Sequence, residues 1–152
     1  MVDFEKVSST DIAWCWYRAE NEDKENKIVG KFMTFYNGPI DGELQKVILE
    51  ALAEGATPLV KHTNPKTMGL NPDPRYRDSS TIIWYSSDDK ESLQKVVGFL
   101  IKNNLIRKTK TGKLYNISFK YDAQTIMGEY GDDFTGVIKL EDLVNLNTGE
   151  LL

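Results

Sequence analysis

The chain has 152 residues, 40% hydrophobic and 28% charged, a composition that supports one domain with its own core and excludes wholesale disorder. Nineteen basic residues against 23 acidic ones leave a net charge of −4, which excludes a histone-like or ribosomal binder of polyanions. The single cysteine, Cys15, excludes an internal disulfide framework and a thiolate zinc site.

Taken in chain order, Ile12–Arg18 alternates large and smaller residues and reads as a strand with Ile12, Trp14 and Trp16 on one face. Residues 21–26 are dense in charge and asparagine, a turn. Ile28–Tyr36 is rich in β-branched and aromatic residues, and makes a second strand expected to form a hairpin with the first. Asn37-Gly38-Pro39 ends it. In Asp41–Glu54 the apolar residues Leu44, Val47, Ile48, Ala51 and Leu52 recur at helical spacing, with Gly55 placed to cap the C-terminus. Thr57–Thr63 is a short strand. The segment that follows, through residue 79, holds Pro65, Gly69, Pro72 and Pro74 and is expected to be an irregular loop. Thr81–Ser86 is a strand leading into a second helix over Asp89–Asn103, where Leu93, Val96, Val97, Leu100 and Ile101 form the apolar stripe and Asp88 with Glu91 reads as the capping pair. Lys110–Lys113 reads as a hairpin turn before a strand over Leu114–Tyr121. Thr135–Leu140 is a further short strand, and Glu141–Leu146 a helical turn. Paired strands with helices interspersed, each helix having one apolar stripe, predict an α+β fold: a mainly antiparallel sheet with two or three helices on one face. With no repeat and no linker of biased composition, residues 1–152 are expected to form a single domain.

The net charge conceals a partition. Residues 57–120 carry five acidic and 12 basic side chains, a balance of +7, between two acidic ends. Within 101–120 stand Lys102, Arg107, Lys108, Lys110, Lys113 and Lys120 with no acidic residue. A local positive field of this kind acts over about 10 Å at ordinary salt whatever the total charge, and suits one selective anionic ligand.

Catalytic and metal motifs are missing. There is no Gly-x-Ser-x-Gly elbow, no Walker-type phosphate loop and no His-Glu-x-x-His, and His62 is the only histidine. No metal or other cofactor is expected. No apolar run approaches the roughly 18 residues of a membrane span, and MVDFEKVSSTD offers neither a basic leader nor a hydrophobic segment, so a cytoplasmic address without a signal peptide is expected. Binding signals are stronger. Trp14, Trp16 and Trp84, the three tryptophans, all fall on strands, where an indole either fills the core or stacks a planar ligand. Arg75-Tyr76-Arg77 interleaves cations with an aromatic. Lys31, Lys61 and Lys120 each sit in the middle of an apolar strand, and a lysine facing inward needs an anionic partner.

The run Gly30-Lys31-Phe32, helix 41–54 and the Leu59-Val60-Lys61 strand resemble, in order, elements of the basophilic-leukaemia-expressed protein family: a Gly-Lys-Trp strand, a helix and an Ala-Lys-Val strand. Ile82–Ser86 with helix 89–103 is similar to that family's next strand and helix. Leu114–Asp122 with Thr125, Gly128 and Tyr130 is similar to its LYYK-x-D-x-x-T-x-x-G-x-Y signature, with a two-residue expansion. The likeness spans residues 10–131, leaving 132–152 as an acidic tail expected to pack on that core. It implies a fold like that of the cap-binding translation initiation factor of the 4E type, a curved sheet with helices on its convex side. The family has also been named for phosphothreonine lyase activity.

Residues and resemblance together predict a non-catalytic module that holds a nucleotide or other phosphorylated ligand on a concave sheet face, as a sequestering or regulatory protein. Lys31, Lys61, Arg75, Arg77 and Lys120 are the expected phosphate contacts. Trp14, Trp16 and Trp84 are the expected stacking residues, and Thr125 a further ligand contact. Two alternatives stand beside this: a phosphothreonine-directed lyase or hydrolase with His62 or a lysine as base, and a protein-interaction module such as an inhibitor in phage–host conflict. No membrane partner and no non-specific DNA binding are expected.

Overall fold

Alternation along the strands and one apolar stripe per helix give, among the described residues, a seven-stranded open sheet with two α-helices, an α+β fold. The computed structural model describes residues 8–19, 28–122 and 138–152. The strands are β1 (Ser8–Thr10), β2 (Trp14–Arg18), β3 (Gly30–Asn37), β4 (Leu59–Thr63), β5 (Ser79–Ser86), β6 (Ser118–Tyr121) and β7 (Ile138–Lys139), in the order β1-β2-β4-β5-β3-β6-β7. The hairpin expected between the first two predicted strands does not form: β4 lies beside β2, and β3 lies between β5 and β6. Strand propensity identifies strands without choosing their neighbours, and here β4 and β5, in which most residues are buried, lie inside the sheet. Five of the eight residues of β5, Ile82 through Ser86, are buried in succession, the mark of a strand covered on both faces.

Contacts divide the chain into two compact units, Met1–Lys24 with Met33–Trp84 and Glu25–Phe32 with Tyr85–Leu152. In the first, β2 pairs antiparallel with β4 from Trp14 opposite Thr63 to Arg18 opposite Leu59, and β4 pairs with β5. Helix α1 (Gly42–Glu54) is capped by Asp41, whose side chain accepts from the Leu44 N–H at 2.9 Å, and is ended by Gly55 at φ +76°. Its Ile48, Ala51 and Leu52 are buried. Tyr17, Val60, His62, Ile82 and Trp84 form the buried sheet face of this unit. Trp14, Trp16, Lys61 and Thr63 share the opposite face, because successive strand residues alternate.

In the second unit β3 and β6 pair with Gly30 opposite Tyr121 and Lys31 opposite Lys120. A Cβ on Gly30 would lie 2.4 Å from the Lys120 carbonyl oxygen and 2.5 Å from Phe119 Cζ, so only glycine fits there. Phe32 and Phe119 pack edge to face at 5.3 Å. Helix α2 (Lys90–Lys102) buries Leu93, Val96, Val97, Phe99 and Leu100. Asp89, not Asp88, is its cap: it accepts from the Ser92 N–H at 3.0 Å, while Asp88 accepts from the Tyr121 hydroxyl at 3.2 Å. The Lys110–Lys113 turn is present, closed by the Thr109 N–H bond to the Lys113 carbonyl at 2.7 Å with Gly112 at φ +86°. The strand expected over Leu114–Tyr121 is regular only from Ser118.

Candidate functional site

Asp11 organises the entry to β2. One carboxylate oxygen accepts from the Ala13 and Trp14 N–H groups at 2.9 and 2.7 Å, and the other accepts from Trp16 Nε1 at 2.8 Å. A carboxylate able to satisfy three donors at once fixes both the turn and one indole edge. The Trp16 indole N–H, the Trp14 backbone N–H and, to a lesser degree, the Lys61 ammonium hold the Asp11 carboxyl below its usual range. On the same face, Lys61 Nζ lies 4.3 Å from the Trp14 ring centroid and 4.6 Å from that of Trp16. Both distances are well inside the reach of a cation–π interaction.

The Trp14 ring also walls a cleft of about 360 Å³. The loop after β4 supplies the other side, and it is hooked to the β1–β2 turn by three contacts. Asn64 Nδ2 donates to the Asp11 carbonyl, the Asn64 N–H donates to the Ala13 carbonyl, both at 3.0 Å, and the Thr67 hydroxyl donates to the Ile12 carbonyl. The loop is more ordered than its prolines and glycine suggest, because it folds into two single 3₁₀ turns, Met68–Leu70 and Pro74–Tyr76. These turns bring Met68, Leu70 and Tyr76 to the cleft, where Thr63, Thr67, Asn71, Ser79 and Thr81 add neutral polar groups. Among the described residues, none that lines the cleft carries a charge. At the mouth, Ile12 is 84% and Leu70 78% exposed.

Of the sequence-derived candidates, Trp14, Trp16 and Lys61 are brought together here. Arg77 does not line the cleft; its Nε donates to the carbonyl of Asn71, which does, at 2.8 Å. Arg75 is held by Asp73, with Nη2 at 2.7 Å from the carboxylate, and lies over the Tyr76 ring at 5.5 Å. Trp84 is 1% exposed and its Nε1 donates to Thr34 Oγ1 at 3.0 Å, so its indole is core. Lys31 and Lys120 stand opposite each other in the second unit; Lys31 Nζ is 3.1 Å from Asp122 and 6.0 Å from the Tyr85 ring centroid. Thr125 lies outside the described residues.

His62 is fully buried. Its Nδ1–H donates to the Thr63 carbonyl at 2.8 Å, which leaves Nε2 to accept from the Tyr17 hydroxyl at 2.9 Å. Desolvation lowers the imidazole pKa and pushes the Tyr17 phenol up to about 12. Burial likewise raises the Cys15 thiol. Among the described residues no group of three His, Cys, Asp or Glu side chains could hold a metal ion.

Two contributors escape sequence reasoning. Asp11 looks like any acidic residue of an N-terminal stretch, and only the Asp-x-x-Trp-x-Trp spacing around the turn hints at its role. The cleft depends on 3₁₀ turns that have no periodic signal. No known protein family, curated protein or solved structure matches the chain.

Proposed function

We propose that the first unit is a binding site for a nucleotide or a similar phosphorylated small molecule, acting without catalysis. The observation that supports this reading is Trp14: one side chain both walls an uncharged cleft and lies under a lysine ammonium. A planar ring enters the cleft between aromatic and neutral polar groups, and its phosphate extends to Lys61 and Arg77. The cleft volume of about 360 Å³ is at the small end of ligand sites, the size for one ring and part of a sugar. Of the two bases a lyase reading offers, a lysine or His62, the His62 ring is buried and bonded at both nitrogens.

Thermal unfolding and tryptophan fluorescence with a panel of mono-, di- and cyclic nucleotides test this reading. A ligand at about 100 times its Kd adds about 2.7 kcal/mol to stability, and Trp14→Leu abolishes that gain. No shift and no quenching at millimolar ligand would exclude it. A second reading, docking of a protein segment, draws on the exposed Ile12 and Leu70 at the cleft mouth. Charge reversal at Lys61 and Arg77 separates the two, because it removes nucleotide binding and leaves an apolar protein contact in place.

A further inference from the structure

Of the asparagines in the chain, only Asn37 is followed by a glycine. An asparagine in that setting can modify itself, because the next backbone nitrogen attacks the side-chain carbonyl and glycine has no Cβ to obstruct the approach. Asn37 ends β3 and is exposed, and its carboxamide takes part in no hydrogen bond among the described residues. The attacking group is held instead. The Gly38 N–H donates to the Asp78 carbonyl at 2.7 Å, and the Gly38 carbonyl accepts from Ser80 Oγ, also at 2.7 Å. Ser80 is 2% exposed, so this second bond is anchored in the interior of the first unit. Gly38 stands at φ +77°, a conformation that favours glycine at this position.

We propose that Asn37 is a self-modification site latched by the fold: it closes to a succinimide, and then opens to aspartate or isoaspartate, only after the Gly38 N–H has left the Asp78 carbonyl. In the first step the Gly38 nitrogen gives its proton to a solvent base and bonds to Asn37 Cγ, and the side-chain nitrogen departs as ammonia. In the second, water adds to either carbonyl carbon of the ring, the adjoining C–N bond breaks, and a carboxylate is released. The chain loses ammonia and gains water, with no oxidant, reductant or enzyme. The bond to Asp78 opposes the first step in two ways. It favours the neutral N–H over the nitrogen anion, and it aims the attacking nitrogen at a carbonyl oxygen instead of at Cγ. The isoaspartate product adds one carbon to the main chain ahead of Ile40, whose side chain is buried just before α1. An opening of this corner is thereby recorded as a permanent negative charge and a lengthened backbone.

The intact chain is incubated at pH 8, folded or in guanidinium chloride, then digested, and the mass of the peptide containing Asn37 is followed. Conversion adds about 1 Da, the exchange of an amide for an acid. In denaturant Asn37 is expected to convert before any other asparagine. In the folded chain it converts at least about tenfold more slowly, because reaction proceeds only from a minor open state. Hydrogen exchange reads the latch without any substitution: the Gly38 amide is expected to be protected. Ser80→Ala removes the hydroxyl that holds the Gly38 carbonyl. In that variant Gly38 exchange and Asn37 conversion are expected to accelerate by the same factor, at least about threefold, with circular dichroism unchanged. No conversion of Asn37 in denaturant would overturn the site itself. Conversion in the folded chain as fast as in denaturant, or a Gly38 amide exchanging like that of a free peptide, would overturn the latch. So would a change in one of the two rates in Ser80→Ala without the other. Should Ser80→Ala fail to fold, the comparison of folded and denatured chain with Gly38 exchange decides alone.

Discussion

His62 is the one histidine of the chain, and it sits where an imidazolium would be most costly. Its Nδ1–H is committed to the Thr63 carbonyl and its Nε2 to the Tyr17 hydroxyl, so a second ring proton would displace the tyrosine donor inside the core. Desolvation holds the folded-state pKa below the ordinary 6.5. The unfolded chain therefore takes up a proton that the folded chain refuses, and stability falls as pH drops from above 6.5 toward the folded-state value. Urea unfolding between pH 8 and pH 5 is expected to show this decline, with His62→Gln flattening it at the price of packing. Proton NMR gives an independent reading: the lone histidine Cε1–H resonance should titrate with a midpoint below 6.5. A full titration centred near 6.5 would contradict the buried, neutral ring.

At the scale of single elements, caps and stripes decide more than propensity. The Asp89 carboxylate accepts from the Ser87 hydroxyl at 2.6 Å and from the Ser92 N–H at 3.0 Å, and these bonds depress its pKa to about 2. Asp89→Ala should destabilise the protein by about 1 kcal/mol at neutral pH, the ordinary worth of such a cap. The side chain is exposed, so salt and solvent reduce any purely electrostatic share. Because the folded pKa is depressed, the difference from the unsubstituted chain is complete above the usual value of 3.8 and disappears as pH falls through about 2. Asp88→Ala should cost less than half as much, having no helix N–H to leave unbonded; equal losses would mean that the cap is shared. Both helices were legible in the sequence, because a stripe such as Leu44, Val47, Ile48, Ala51 and Leu52 has one face that only burial can satisfy. The cap was misread by one residue, since adjacent aspartates offer the same chemistry and only backbone geometry chooses between them. Strand partners were not legible for a related reason: β2 and β3 have edges that any strand could pair with, and β4 and β5 intervene through packing far apart in sequence. The same limit governs the candidate site. Lys61 and the two tryptophans could be singled out as residue types, but their meeting depends on the β2–β4 register.

For the whole molecule, the charge distribution separates two kinds of anion. The total of −4 repels an extended polyanion, while residues 57–120 carry +7 and include Lys61 and Arg77. Some of those cations are already engaged: Arg75 is paired with Asp73, which the balance already counts, and Lys61 faces two indoles. A field that decays over about 10 Å at 0.1 M salt suits the small phosphorylated ligand proposed above and is too short to gather a nucleic acid across the acidic ends. The chain should therefore pass unretained through immobilised double-stranded DNA or heparin at about 0.1 M salt. At the same salt a mononucleotide should still quench tryptophan fluorescence. Raising salt to about 1 M should weaken the mononucleotide by no more than about tenfold, because a single phosphate releases few counterions and the ring contact with Trp14 is insensitive to screening. Tight retention on DNA with a steep salt dependence would instead make the basic middle of the chain a nucleic-acid surface, with the cleft incidental to it.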